Sequence, residues 1–157
     1  MIRGFIVDNL EQLTVFGNEL DVEKTLDNVK HFFELDYPAA KRRAHRDMTG
    51  VGSPAITGMP KGTAKGNATE ERLVNYAYCK QVVAATPLAI DDCTKWSRQI
   101  LKWLYLNRED DAYCIVNLPY SEKWYYKKLK PTAMIEFAEA YPIEELLAFK
   151  KSTVKVQ

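Results

Sequence analysis

Leu106-Asn107-Arg108-Glu109-Asp110-Asp111-Ala112-Tyr113-Cys114-Ile115-Val116-Asn117-Leu118-Pro119-Tyr120-Ser121 runs directly into Glu122-Lys123-Trp124-Tyr125-Tyr126-Lys127-Lys128-Leu129-Lys130. The first part reads as a short apolar helix, near 110–118, that ends in a tight turn. Ser121 stands where a helix N-cap belongs, its hydroxyl placed to accept from an orphan N–H of the next turn. Tyr125 and Leu129 recur at helical spacing and point inward together. Lys123, Lys127 and Lys130 fall on another face, where cations meet phosphates or guanine edges. Such a pattern fits a helix-turn-helix whose second helix touches DNA. The same residues also fit an ordinary helical hairpin with a solvated lysine face.

Upstream, Asp21 is a good N-cap for a helix carried by Val22, Leu26, Val29 and Phe33, and that helix is expected to kink or break at Tyr37-Pro38. A basic helical piece, Ala40 to Arg46, follows it. Residues 2–16 show a partial alternation (Phe5, Val7, Leu13, Val15) that fits a short strand pair or an irregular lead-in. Thr69 reads as an N-cap, with Glu70 and Glu71 favoured in the first turn by the helix dipole, for a helix to about Ala85. Thr86-Pro87 then restarts the chain, proline at a first helical position losing nothing by its missing N–H. Trp96, Ile100, Trp103 and Leu104 line one face of the next helix, as core rather than as a ligand cage. Pro131 is expected to end or kink the reader helix, leaving it about nine residues long. Ala133, Met134, Phe137, Ala138 and Tyr141 form a last apolar face, stopped at Tyr141-Pro142.

The chain of 157 residues fits one domain or two small ones, and its 46% apolar content suits a buried core. The net charge of +1 excludes a globally basic nucleic-acid binder, but charge is clustered. Residues 1–36 carry a net −5, and residues 37–68 carry +5 through Lys41, Arg42, Arg43, Arg46, Lys61 and Lys65 against Asp47. Cys79, Cys93 and Cys114 are widely spaced, form no C-x-x-C, and lie far from His31 and His45. They read as buried thiols of a reducing cytosol, with no metal site and no cofactor. No segment reads as a signal peptide or a bilayer span, so no membrane association is expected and the chain is placed in the cytoplasm.

From Thr49 to Asn67, five glycines and two prolines in nineteen positions argue against regular structure. A phosphate loop needs Gly-x-x-x-x-Gly-Lys-Ser/Thr between a strand and a helix; here Lys61 precedes Gly62, Lys65 precedes Gly66, and no strand leads in. A linker or an extended arm remains, its lysines able to lie along a polyanion. The fold class is therefore all-α: an N-terminal helical region over 1–48, a flexible linker over 49–68, and a helical domain over 69–157 with the helix-turn-helix at about 110–130.

Three places in this chain resemble the phage ArpU (autolysin regulatory protein) family of transcriptional regulators. They are the helix from Asp21 to Tyr37; the run Ser53-Pro54-Ala55-Ile56-Thr57-Gly58-Met59-Pro60-Lys61-Gly62 with Gly66-Asn67-Ala68-Thr69-Glu70-Glu71; and Tyr120 to Lys130 followed by Ala133-Met134-Ile135-Glu136-Phe137-Ala138-Glu139-Ala140-Tyr141. The Gly58-Met59-Pro60-Lys61 segment and the Phe137-to-Tyr141 ending are the more specific. The resemblance implies a phage- or prophage-encoded DNA-binding regulator of late genes for packaging, morphogenesis or lysis, working in the bacterial host cytoplasm. Its C-terminal part resembles the helix-turn-helix of sigma-factor region 4. By position, Ile115 fills the small apolar slot of the first helix, and Pro119 stands where the turn usually has glycine. Because proline cannot take the positive φ of glycine, a different turn is expected.

The leading reading is a non-enzymatic transcription regulator that binds double-stranded DNA at a phage late promoter. Its DNA-contacting residues would be Ser121, Glu122, Lys123, Trp124, Tyr126, Lys127, Lys128 and Lys130, with Lys41, Arg42, Arg43 and Arg46 or the 50–67 arm gripping phosphates. Host RNA polymerase and a second copy of the chain are further candidate partners. The alternative is a helical interaction module that contacts RNA polymerase or a phage assembly partner without touching DNA, Trp124, Tyr125 and Tyr126 serving as anchors. Two histidines, neither beside a nucleophile or a carboxylate pair, leave little for acid–base catalysis.

Overall fold

The computed structural model describes residues 14–15, 17–46 and 64–151. Phe5, Val7, Leu13, the Ser53–Gly62 run and most of the expected linker lie outside the described residues. Within them the protein is predominantly α-helical. Strands β1 (Thr14–Val15) and β2 (Asn18–Glu19) form a minimal antiparallel hairpin, turned at Gly17 with φ +79°. Helices follow: α1 (Val22–His31), α2 (Tyr37–Ala44), α3 (Ala64–Asp91), α4 (Lys95–Leu101), α5 (Asp111–Asn117), α6 (Glu122–Trp124) and α7 (Lys130–Ala140).

The caps expected at Asp21 and Ser121 behave as the sequence says. Asp21 Oδ1 accepts from Lys24 N at 3.1 Å and starts α1. The prolines do not. The chain stays helical from Val22 to Ala44, and the distortion expected at Tyr37-Pro38 sits one turn earlier, as a π-turn over Phe32–Asp36 closed by Tyr37 N–H to Phe32 O. Pro131 behaves identically: a π-turn over Tyr125–Leu129, closed by Lys130 N–H to Tyr125 O, joins α6 to α7 without a stop. Widening the preceding turn moves the carbonyl that the proline ring would strike, and absorbs the missing hydrogen bond. The expected nine-residue reader helix is thus the first part of one that runs from Glu122 to Ala140.

Two further expectations are corrected. The helix expected from Thr69 begins at Ala64, so its last linker residues are helical, and Pro87 lies inside α3 instead of restarting the chain. Beside Pro87, the fully buried Thr86 donates its hydroxyl to Val82 O at 2.7 Å. The chain breaks instead after Asp91, and Thr94 becomes the N-cap residue of α4. There Thr94 Oγ1 donates to the Glu136 carboxylate of α7 at 2.9 Å, and Thr94 N–H reaches the same group at 3.3 Å.

An aromatic cluster holds the N-terminal and C-terminal parts in one core. Phe32 packs on Phe137 and Tyr141 with ring centroids 5.6 and 4.7 Å apart, and Phe33 packs on Phe137 at 4.5 Å. Helix α1 and helix α4 both lie on α7, while α2 lies on α3. Ile100, Trp96, Trp103 and Leu104 belong to this core or pack against it, and Ala133, Met134, Phe137, Ala138 and Tyr141 are all buried, as their spacing implies. The three cysteines are buried free thiols. The Cys93 thiol donates to Ala89 O at 3.3 Å and is pushed up to about 12, first by burial and then by nearby carboxylates.

After α7 the chain returns as an irregular strap along α1. Ala148 accepts from Asp21 N at 2.8 Å and donates to Thr25 Oγ1 at 2.9 Å, while Asn28 donates to Leu146 O at 3.1 Å. Lys150 N–H to Glu19 O, at 2.9 Å, ties the strap to the hairpin. Among the described residues, no helix is long and apolar enough to cross a membrane, and no group of His, Cys, Asp and Glu side chains is arranged to hold a metal.

Candidate nucleic-acid interface

The hairpin of α5, the Leu118–Tyr120 turn and α6 is built from local signals and one long-range clamp. Asp110 starts α5, its Oδ1 accepting from Tyr113 N at 2.8 Å. Ser121 starts α6 by accepting from Trp124 N at 3.2 Å, as a serine N-cap does. Leu118 ends α5 in an extended conformation with φ −102°, so the turn before Ser121 needs no positive φ, consistent with proline at 119. Cys114 and Leu118 point into the core, and Ile115 packs against it.

Asp111 is the clamp. Its Oδ1 accepts from the Tyr125 hydroxyl at 2.6 Å, and its carboxylate accepts from Lys130 Nζ at 2.9 and 3.0 Å. Burial pushes the Asp111 carboxyl up, but hydrogen bonds from Lys130 and Tyr125, with the Lys130 charge, outweigh it and hold the group below its ordinary 3.8. The Tyr125 phenol is driven strongly upward, by burial first and by the Asp111 hydrogen bond next. One carboxylate therefore fixes the first hairpin helix against both ends of the π-turn in the second.

The clamp sorts the expected contact residues. Tyr125 is fully buried and Leu129 is 6% exposed, facing inward together as their spacing implies. Ser121, Glu122, Lys123, Tyr126 and Lys127 are exposed; Trp124 and Lys128 are half-buried. Trp124 packs against the core, its indole Nε1 buried without a partner among the described residues. Lys130 does not share the open face of Lys123 and Lys127: it is paired to Asp111, and its side chain is 27% exposed.

On α2, Arg42 and Arg43 are exposed, as is Arg46 just beyond its end, while Lys41 is half-buried with its ammonium 5.4 Å from the Tyr37 ring centre. Lys41 and Arg42 open onto a cleft of about 350 Å3 shared with Phe33, Glu34, Tyr37, Leu104, Tyr105 and Arg108. Phe33 and Tyr105 are stacked in parallel there, 3.9 Å apart. Arg43 and Arg46 do not line it. Arg108 is the described non-glycine residue with positive φ, +58°, a conformation costing roughly 1–2 kcal/mol for a side chain larger than hydrogen. Asn107 caps the π-turn Lys102–Leu106 by donating to Lys102 O at 2.9 Å; Arg108 follows it, and Glu109 N–H closes back on Trp103 O at 2.8 Å. Sequence reasoning missed both Arg108 and Asp111, because the run Arg108-Glu109-Asp110-Asp111 looks like an ordinary charged loop.

Fold and site together describe an all-α protein with a clamped helical hairpin that exposes lysine on its second helix. The chain is 28% identical over 134 residues, 84% of its length, to a protein of Enterococcus hirae named "Putative autolysin regulatory protein ArpU", 96% of which is covered. No family profile matches the chain. No solved structure matches it either.

Proposed function

We propose that this chain is a phage- or prophage-encoded regulator of transcription, acting by binding double-stranded DNA near late promoters in the bacterial host cytoplasm, without catalysis. The observation that carries the reading is the clamped hairpin. Asp111 fixes α5 against the following helix, and Lys123 and Lys127 stand exposed one turn apart on that helix. Similarity over most of its length to a protein named as an autolysin regulator supports the regulatory role. The first turns of the helix after Ser121 enter the major groove, and the basic residues of α2 take phosphates. Binding to duplexes from the chain's own genomic neighbourhood across a salt series tests this. A response that does not change with salt, or no retention at low salt, contradicts it.

A second reading is favoured by one surface. Val116 is 83% exposed and Tyr113 40% exposed on α5, an apolar face that suits a protein partner such as RNA polymerase or a phage assembly component. Substituting Val116→Asp separates the readings: it leaves DNA binding intact in the first and abolishes complex formation in the second. A second copy of the chain remains a candidate partner under either reading.

A further inference from the structure

We propose that Arg108, Lys41 and Arg42 form a phosphate clamp for the DNA backbone on the flank of the hairpin. The proposal rests on the DNA-binding reading above and extends it to a residue outside both basic segments of the sequence.

These cations come from separate parts of the chain, and the fold brings them to one cleft of about 350 Å3. Glu34 is the acidic side chain lining it. Its single charge leaves the three cations in excess, and among the described residues no ion pair is formed by Arg42 or Arg108. The Phe33–Tyr105 stack lines the same cleft, with the ring planes parallel and 3.9 Å apart.

The backbone at Arg108 adds an independent observation. Its φ of +58° is one that glycine adopts without steric cost, yet the position carries the side chain best suited to hold a phosphate. The left-handed residue ends the preceding helical turn, which Glu109 N–H closes onto Trp103 O, and it sets the Arg108 side chain at the cleft. Arg108 also lies just before α5, and in helix-turn-helix docking the first helix is the one that crosses the DNA backbone. Contacts there set register without reading bases.

The experiment compares the parent with Arg108→Gly, Arg108→Lys and Lys123→Ala on two duplexes, one from the neighbouring late-promoter region and one scrambled, across a salt series. Glycine fits the left-handed backbone, so Arg108→Gly should melt no lower than the parent. It should weaken binding to both duplexes by the same factor and make the log–log salt slope shallower by about 1. Arg108→Lys should recover part of the loss. Parent-like affinity and slope for Arg108→Gly, with Lys123→Ala impaired on the promoter duplex, overturns the clamp and leaves the hairpin reading standing. No retention of either duplex by the parent at low salt overturns both. Inorganic phosphate is the remaining arm. If millimolar phosphate raises the melting temperature of the parent but not of Arg108→Gly, while DNA affinity is the same for both, the cleft takes a free anion and the proposal fails.

Discussion

Asp111 and Lys130, nineteen positions apart, are joined by two hydrogen bonds of 2.9 and 3.0 Å, with the Tyr125 hydroxyl completing the carboxylate's partners at 2.6 Å. The pair fixes the angle between the two helices of the hairpin, so the open lysines of the second helix are carried on a rigid mount. It also holds Lys130 against Asp111, apart from the open face of Lys123 and Lys127.

Asp111→Asn should destabilise the protein by roughly 1–2 kcal/mol at pH 7, since hydrogen bonds to a charged group contribute more than neutral ones while partial exposure screens the pair. The sign with pH follows from the lowered carboxyl. A group depressed in the folded state contributes stability that is present above its ordinary 3.8 and is lost as pH falls through its lower folded value. Denaturant unfolding of parent and variant at pH 7 and pH 3 should therefore show a gap that narrows in acid. A gap that widens in acid contradicts the clamp.

Pro87→Ala should stabilise the protein, by about 1–3 kcal/mol, because α3 runs through this position and alanine restores a donor for the carbonyl of Val83. If the chain instead restarted at Thr86-Pro87, the same change would be neutral or destabilising. Thermal melting distinguishes the two.

Leu129→Ala should cost about 2–5 kcal/mol through a core cavity, while leaving the exposed lysine face chemically unchanged. Its DNA affinity, measured well below its melting temperature, should stay near that of the parent. A large affinity loss in a fully folded variant would show that Leu129 meets the ligand.

Helix identity and the inward faces were legible because apolar spacing and caps are local properties. Asp21 and Ser121 cap as read, and Tyr125, Leu129 and the Ala133–Tyr141 face are buried as read. The prolines misled because a proline's effect depends on the hydrogen-bond register of the turn before it, which packing of Phe32 or Tyr125 into the core decides. The strap after Tyr141 has no periodicity to announce it: its bonds run to Asp21, Thr25 and Asn28, more than a hundred residues away. The cleft of Lys41, Arg42 and Arg108 was hidden for the same reason, since half of the basic segment was visible but its partner is placed by the tertiary fold.

The most direct test of the account is the DNA affinity of Lys123→Ala and Lys127→Ala beside the parent, with melting temperatures measured on the same samples. The parent should bind a late-promoter duplex with a log–log salt slope near −4 to −5, as about four to six phosphate contacts require. Each variant should melt like the parent, since both side chains are exposed, and should lose about 1–3 kcal/mol of specific binding where the lysine reaches a base. If both variants bind like the parent, the helix after Ser121 is not the reader, and the basic segment from Lys41 to Arg46 takes its place.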